Sequence, residues 1–124
     1  MKFLILGLLL MGAPVLACPN LDDAQPFRAA TNDAPRLYYQ PIEPPISEPF
    51  DLILVLCDAQ KTVELKFDAI MPAHQHGMNY AASVAPIDAN QFSVSNVVFH
   101  MPGLWEMQVT LDETHRYSAE IQVQ

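Results

Sequence analysis

Histidine and methionine are the residue types whose spacing in this chain lends itself to chemistry. The stretch Met71-Pro72-Ala73-His74-Gln75-His76-Gly77-Met78-Asn79-Tyr80 holds two of the four histidines and two of the six methionines. A second stretch, Phe99-His100-Met101-Pro102-Gly103-Leu104-Trp105, adds another histidine beside another methionine. On an extended segment His74, His76 and Met78 leave from one face, roughly 6.5–7 Å apart along the chain. Gly77 lets the segment bend, so both imidazoles can converge on one ion. If the turn after His100 lies at the same end of the fold, a third imidazole and the Met101 thioether join them. Imidazole plus thioether, without a carboxylate cluster, is a soft-to-borderline donor set that suits copper. Zinc is the second choice, since its structural sites favour thiolates or a carboxylate. Asp68 is placed to supply that carboxylate, or to orient a ring N–H. A metal-free reading stands beside this one. Histidines around a Pro/Gly loop can cap backbone groups, and Met71, Met101 and Met107 can be core filler. His-x-His spacing alone does not decide between them.

Other chemistries find little support. No Ser/His/Asp signature or phosphate-cradling glycine loop is present, and the sequence has four glycines in all. The carboxylate pairs Asp22-Asp23 and Asp112-Glu113 fall in arm and turn, where solvated surface explains them, and the reading is of a protein that is not an enzyme. His115 reads as a surface residue of a polar turn, and Trp105 as core.

A chain of 124 residues allows one domain. Met1-Lys2 is a short positive region, Phe3 to Met11 is apolar, and Val15-Leu16-Ala17 offers small residues at cleavage spacing. Residues 1–17 therefore read as a secretory signal. No later run approaches the ~18 apolar residues of a membrane helix. Without Lys2, five basic residues face fourteen acidic ones, a net charge of about −9. Such a charge disfavours nucleic acid and anionic membranes as partners and favours a cation or a protein with a basic face. The two cysteines leave a choice. Cys18 follows Leu16-Ala17 as in a lipoprotein signal, which would anchor the domain through an acylated Cys18. In an oxidising compartment Cys18 and Cys57 would instead pair.

Strand patterns must position the histidines. Residues 18–35 show no sustained period and read as an N-terminal arm, and residues 36–124 as the domain. Arg36 to Gln40 is a short strand. Prolines at 41, 44, 45 and 49 make the next stretch extended, and no central strand. Phe50 to Cys57 is apolar on both alternations, as in a strand buried on both sides. Asp58-Ala59-Gln60-Lys61 turns into an alternating strand over Val63, Leu65, Phe67 and Ala69. Tyr80 to Val84 is a weaker strand. In Gln91 to Phe99 the alternation slips near Ser95-Asn96, predicting a bulge. Pro102-Gly103 fits a turn with positive φ at glycine. Trp105, Met107, Val109 and Leu111, then Tyr117, Ala119, Ile121 and Val123, are the inward residues of two last strands. About seven strands and no helical period predict an all-β, immunoglobulin-like antiparallel sandwich.

The run Asp68-Ala69-Ile70-Met71-Pro72-Ala73-His74-Gln75-His76-Gly77-Met78-Asn79-Tyr80, followed by Val98-Phe99-His100-Met101-Pro102-Gly103-Leu104-Trp105-Glu106, resembles the YtkA-like/FixH-like group of exported bacterial domains. The likeness spans about residues 50–124. It implies an immunoglobulin-like sandwich in the periplasm, and FixH-type members are associated with copper handling during cytochrome oxidase assembly. On that resemblance the chain is expected to be a monomeric copper-binding accessory or carrier protein. His74, His76, Met78, His100 and Met101 would be its ligands, and an envelope protein or a metalloenzyme under assembly its partner. The alternative is a metal-free interaction module docking an envelope protein.

Overall fold

Alternating apolar and polar residues need a sheet with one covered face, and this chain builds two such sheets and packs them together. The structure, a computed structural model, describes residue 18 and residues 21–58 and 63–124. The expected signal segment, residues 1–17, lies outside the described residues, as does the turn Ala59-Gln60-Lys61. In chain order the strands are β1 (Gln25–Pro26), β2 (Arg28–Ala29), β3 (Leu37–Gln40), β4 (Phe50–Leu56), β5 (Leu65–Met71), β6 (His76–Gly77), β7 (Ser83–Pro86), β8 (Gln91–Val97), β9 (Gly103–Leu111) and β10 (His115–Val123). They form two antiparallel sheets, ordered β1-β3-β4-β8-β7 and β2-β10-β9-β5-β6. No helix occurs among the described residues. The fold is an all-β sandwich.

Seven of these strands match the expected ones, with ends shifted by a few residues. The other three, β1, β2 and β6, are two residues long and carry no readable period. Residues 18–35 are therefore more than an arm. Pro26 pairs with Tyr38 in one sheet and Arg28 pairs with Ser118 in the other, so the chain steps across between sheets at Phe27. Phe27 anchors that step: it is buried, its N–H donates to the Leu37 carbonyl at 2.8 Å, and its ring meets Tyr39 edge-on. Cys18 is bonded to Cys57, with Cα atoms 5.2 Å apart, fixing the start of the arm to the end of β4. The Cys18 sulfur that a lipid would need is the one used in this bridge.

The core is the space between the sheets. Leu52, Leu54 and Leu56 face Trp105, Met107, Val109 and Leu111 across it, all essentially buried. Val55 is also buried, on the opposite face of β4, while Ile53 is half exposed, so the double burial expected of this strand holds toward its C-terminal end. The slip in β8 is a bulge. Phe50 pairs with Val97 and Leu52 with Val94, so one extra residue is taken up on β8, and Asn96 sits at φ 61°. That extra residue turns both Val94 and Val97 inward, and both are fully buried.

Candidate metal centre

The hairpin from β5 to β6 carries the first two histidines. Met71 pairs with His76 as its last rung, and residues 72–75 form the turn. The Met71 carbonyl accepts from the N–H groups of both His74, at 3.1 Å, and Gln75, at 2.9 Å, with Gln75 at φ 53°. His74 is thus held in a tight turn, which corrects the expectation of an extended run from His74 to Met78. It meets His76 because the hairpin folds back, with the two rings stacked at 5.7 Å.

Register then carries His76 inward. Residues directly opposite in an antiparallel pair point to the same face, so His76 shares the inner face with Met71, which is buried. Ile70 pairs with Glu106, which puts Met71 level with Trp105 on the neighbouring strand. The result is an inner row of His76, Met71 and Trp105, and the His76 ring lies 6.2 Å from the indole. The connection from β8 to β9 brings in His100. Its ring lies 5.3 Å from that of His76 and 5.4 Å from Trp105. Three hydrogen bonds hold this connection: Ser47 N–H donates to the Phe99 carbonyl at 2.8 Å, the Ser47 hydroxyl to the His100 carbonyl at 3.4 Å, and the indole N–H of Trp105 to the Met101 carbonyl at 3.0 Å.

The histidines stand in a row and grade inward. His74 is exposed, while His76 and His100 are half buried. His76 Nδ1 lies 3.4 Å from the Gly77 carbonyl, a contact that as a donor leaves Nε2 free to ligate. His100 Nδ1 is buried and has no hydrogen-bond partner, the one such side-chain atom among the described residues. Two imidazoles on one ion, with metal–nitrogen bonds near 2.0 Å, have ring centres about 5–6 Å apart. Each neighbouring pair is at that spacing. Among the described residues, however, no three His, Cys, Asp or Glu side chains are grouped to hold one ion together.

The remaining candidates sit differently. Met78 and Met101 are half buried and packed against the core. Asp68 is exposed on the outer face of β5, and its carboxylate accepts from the Ala69 N–H at 2.8 Å, so it does not serve the histidines. His115 begins β10, half buried, and has no ring contact with the other three. Three contributors escaped the sequence reading as site residues. Trp105 and Met71 were legible as core, and their neighbourhood with His76 follows from register alone. Ser47 lies in the proline-rich stretch and carries no local signal. Gly103, at φ 129°, lets the two motifs touch, since a Cβ there would come 3.0 Å from the Met71 methyl. The positive φ expected at this glycine is present.

The chain matches no family model, no curated protein and no solved structure.

Proposed function

We propose that this protein is an exported copper-binding carrier or accessory protein, working in the periplasm as a monomer. His76 and His100 would be its central ligands, His74 the ligand on the solvent side, and Met78 and Met101 soft donors. The observation that carries this reading is a row of imidazoles at ligand spacing that ends on a buried ring nitrogen with no partner. A buried polar atom left unpaired costs about 1–3 kcal/mol, and an ion bound there would remove that cost. The donor set is nitrogen and sulfur without a nearby carboxylate, which favours copper over harder cations and leaves zinc second. The net charge of −8 draws cations in. The resemblance of both motifs to YtkA-like/FixH-like domains points the same way, and makes a metalloenzyme under assembly the natural acceptor. A Cys18–Cys57 bridge is compatible with an oxidising compartment and favours the soluble form over a lipid anchor.

Titration of the disulfide-bonded chain with Cu(I) against a competing chelator tests this. One equivalent should bind, and the double variant His74→Ala/His76→Ala should lose it. Equal binding by the double variant removes the histidines from the site. A second reading, a metal-free module docking an envelope protein, is favoured by Tyr80 and Leu104. These are 69 % and 42 % exposed, respectively, and each lies within one of the two histidine-bearing stretches. Absence of any stoichiometric metal would leave that reading standing.

A further inference from the structure

We infer that the histidine row is a transfer path in which two overlapping two-imidazole sites share His76, an outer one with His74 and an inner one with His100. This inference rests on the copper-binding reading. Its starting point is that the rings are arranged in a line and not around a common point. His74 meets His76 at 5.7 Å and His76 meets His100 at 5.3 Å, whereas His74 and His100 have no ring contact. No group of three such donors converges among the described residues. A single three-coordinate centre is therefore not what this backbone builds.

The two pairs differ in surroundings. The outer pair includes the exposed His74, on a turn closed by two backbone hydrogen bonds to the Met71 carbonyl. The inner pair stands against the fully buried Trp105, whose ring contacts both His76 and His100, and Phe99 packs behind it at 5.0 Å. An apolar wall limits water at a bound metal and slows its loss, so the outer pair captures and the inner pair retains. Movement between them is one ligand exchange. The His100–copper bond forms as the His74–copper bond breaks, with the His76–copper bond kept throughout. Copper remains Cu(I), each imidazole contributes one lone pair in neutral form, and no proton or electron is gained or lost. His76 has one free nitrogen lone pair, so the two sites exclude each other and the chain holds one ion despite its three aligned histidines.

Trp105 is the sole tryptophan, and it contacts both rings of the inner pair but only the shared His76 of the outer one, so its quenching should be strongest once the ion reaches His100. The disulfide-bonded chain would be mixed rapidly with the coloured Cu(I)–bicinchoninate complex, following chelator absorbance and Trp105 fluorescence together. Loss of chelator colour should precede fluorescence quenching. His74→Ala should slow the colour change about tenfold while equilibrium affinity moves by less than about threefold. His100→Ala should keep the fast colour change, lose the quenching, and weaken affinity about tenfold or more. His100→Phe, which leaves no cavity, should repeat that pattern. Coincident colour and fluorescence phases in the unmodified chain, or two bound ions, would overturn the path. So would His74→Ala weakening equilibrium binding as much as His100→Ala. Failure of the unmodified chain to take any Cu(I) would overturn the copper reading itself, a result distinct from these.

Discussion

Replacing His100 by phenylalanine should make the metal-free domain more stable. The Nδ1 atom of His100 is buried without a partner, and neither neutral tautomer satisfies it, because no donor and no acceptor is in reach. Leaving such a group desolvated costs about 1–3 kcal/mol, a penalty that an apolar ring of similar size does not carry. A phenyl ring would also pack on Trp105 and add to the Phe50–Phe99–Trp105 aromatic cluster, whose ring centres lie 5.6 and 5.0 Å apart. Because His100 is only half buried, we expect a gain of about 1–2 kcal/mol. In urea, where a domain of this size has a slope near 1–1.5 kcal/mol/M, the midpoint should rise by about 1 M. His100→Leu, less bulky, should shift it the same way if the phenyl ring proves too large. With copper present the order should reverse, since ligand bound to the native state stabilises it by RT ln(1 + [L]/Kd), and the variant gives up the inner site. A lower midpoint for both variants in the absence of metal would show that His100 makes a structural contact, and would refute the argument from its unpaired nitrogen.

The Cys18–Cys57 bridge closes a loop with sequence separation 39, which in the chain-entropy model corresponds to about 4 kcal/mol. Cys18→Ser/Cys57→Ser should lose that amount in urea unfolding, and a loss below about 1 kcal/mol would mean the arm is held by Phe27 and the β1 and β2 pairings instead. Burial, with the charge of Asp33 nearby, pushes the Tyr117 phenol up to about 12, and its hydroxyl donates to the Pro35 carbonyl at 2.6 Å. Since the unfolded phenol ionises near 10, the unfolded state loses its proton first as the pH rises. Stability present below pH 10 should therefore fall between about pH 10 and 12, by on the order of 1–2 kcal/mol. Tyr117→Phe should flatten that decline, and an unchanged alkaline profile would argue against it. Gly103→Ala should cost about 1–3 kcal/mol, because φ 129° strains any side chain and the new Cβ would meet the Met71 methyl at 3.0 Å. Gly77→Ala, where the nearest atom would be 3.4 Å away, is the control, and equal melting temperatures for the two would refute the assignment.

The histidine row shows where reading from sequence runs out. His74, His76 and His100 are conspicuous in the chain, and their residue types alone raise metal chemistry. The extended geometry assumed for residues 74–78 does not occur, because the Met71 carbonyl collects two N–H groups and closes a turn. Turn type depends on a few hydrogen bonds of small net value, which no periodicity records. Ser47 and the two-residue strands are invisible for a related reason: too few residues alternate to leave a pattern. The bulge in β8, in contrast, was legible, since Val94 and Val97 are both apolar and only an extra residue between them can send both inward.

Burial thus decided what the sequence alone could establish. Alternating apolar residues in β5, β9 and β10 require a covered face, the doubly apolar β4 requires a second layer, and two cysteines in an otherwise strand-rich chain invite a bridge. These are sums over many residues, each worth about 1 kcal/mol or more when buried, and they survive local error. Only the tertiary structure decided which imidazoles are neighbours. The 23 residues between His76 and His100 carry no information about distance until antiparallel register sets Met71 beside Trp105 and the β8–β9 connection lays His100 across them. Register is a relation between strands, so it is written in no single one of them.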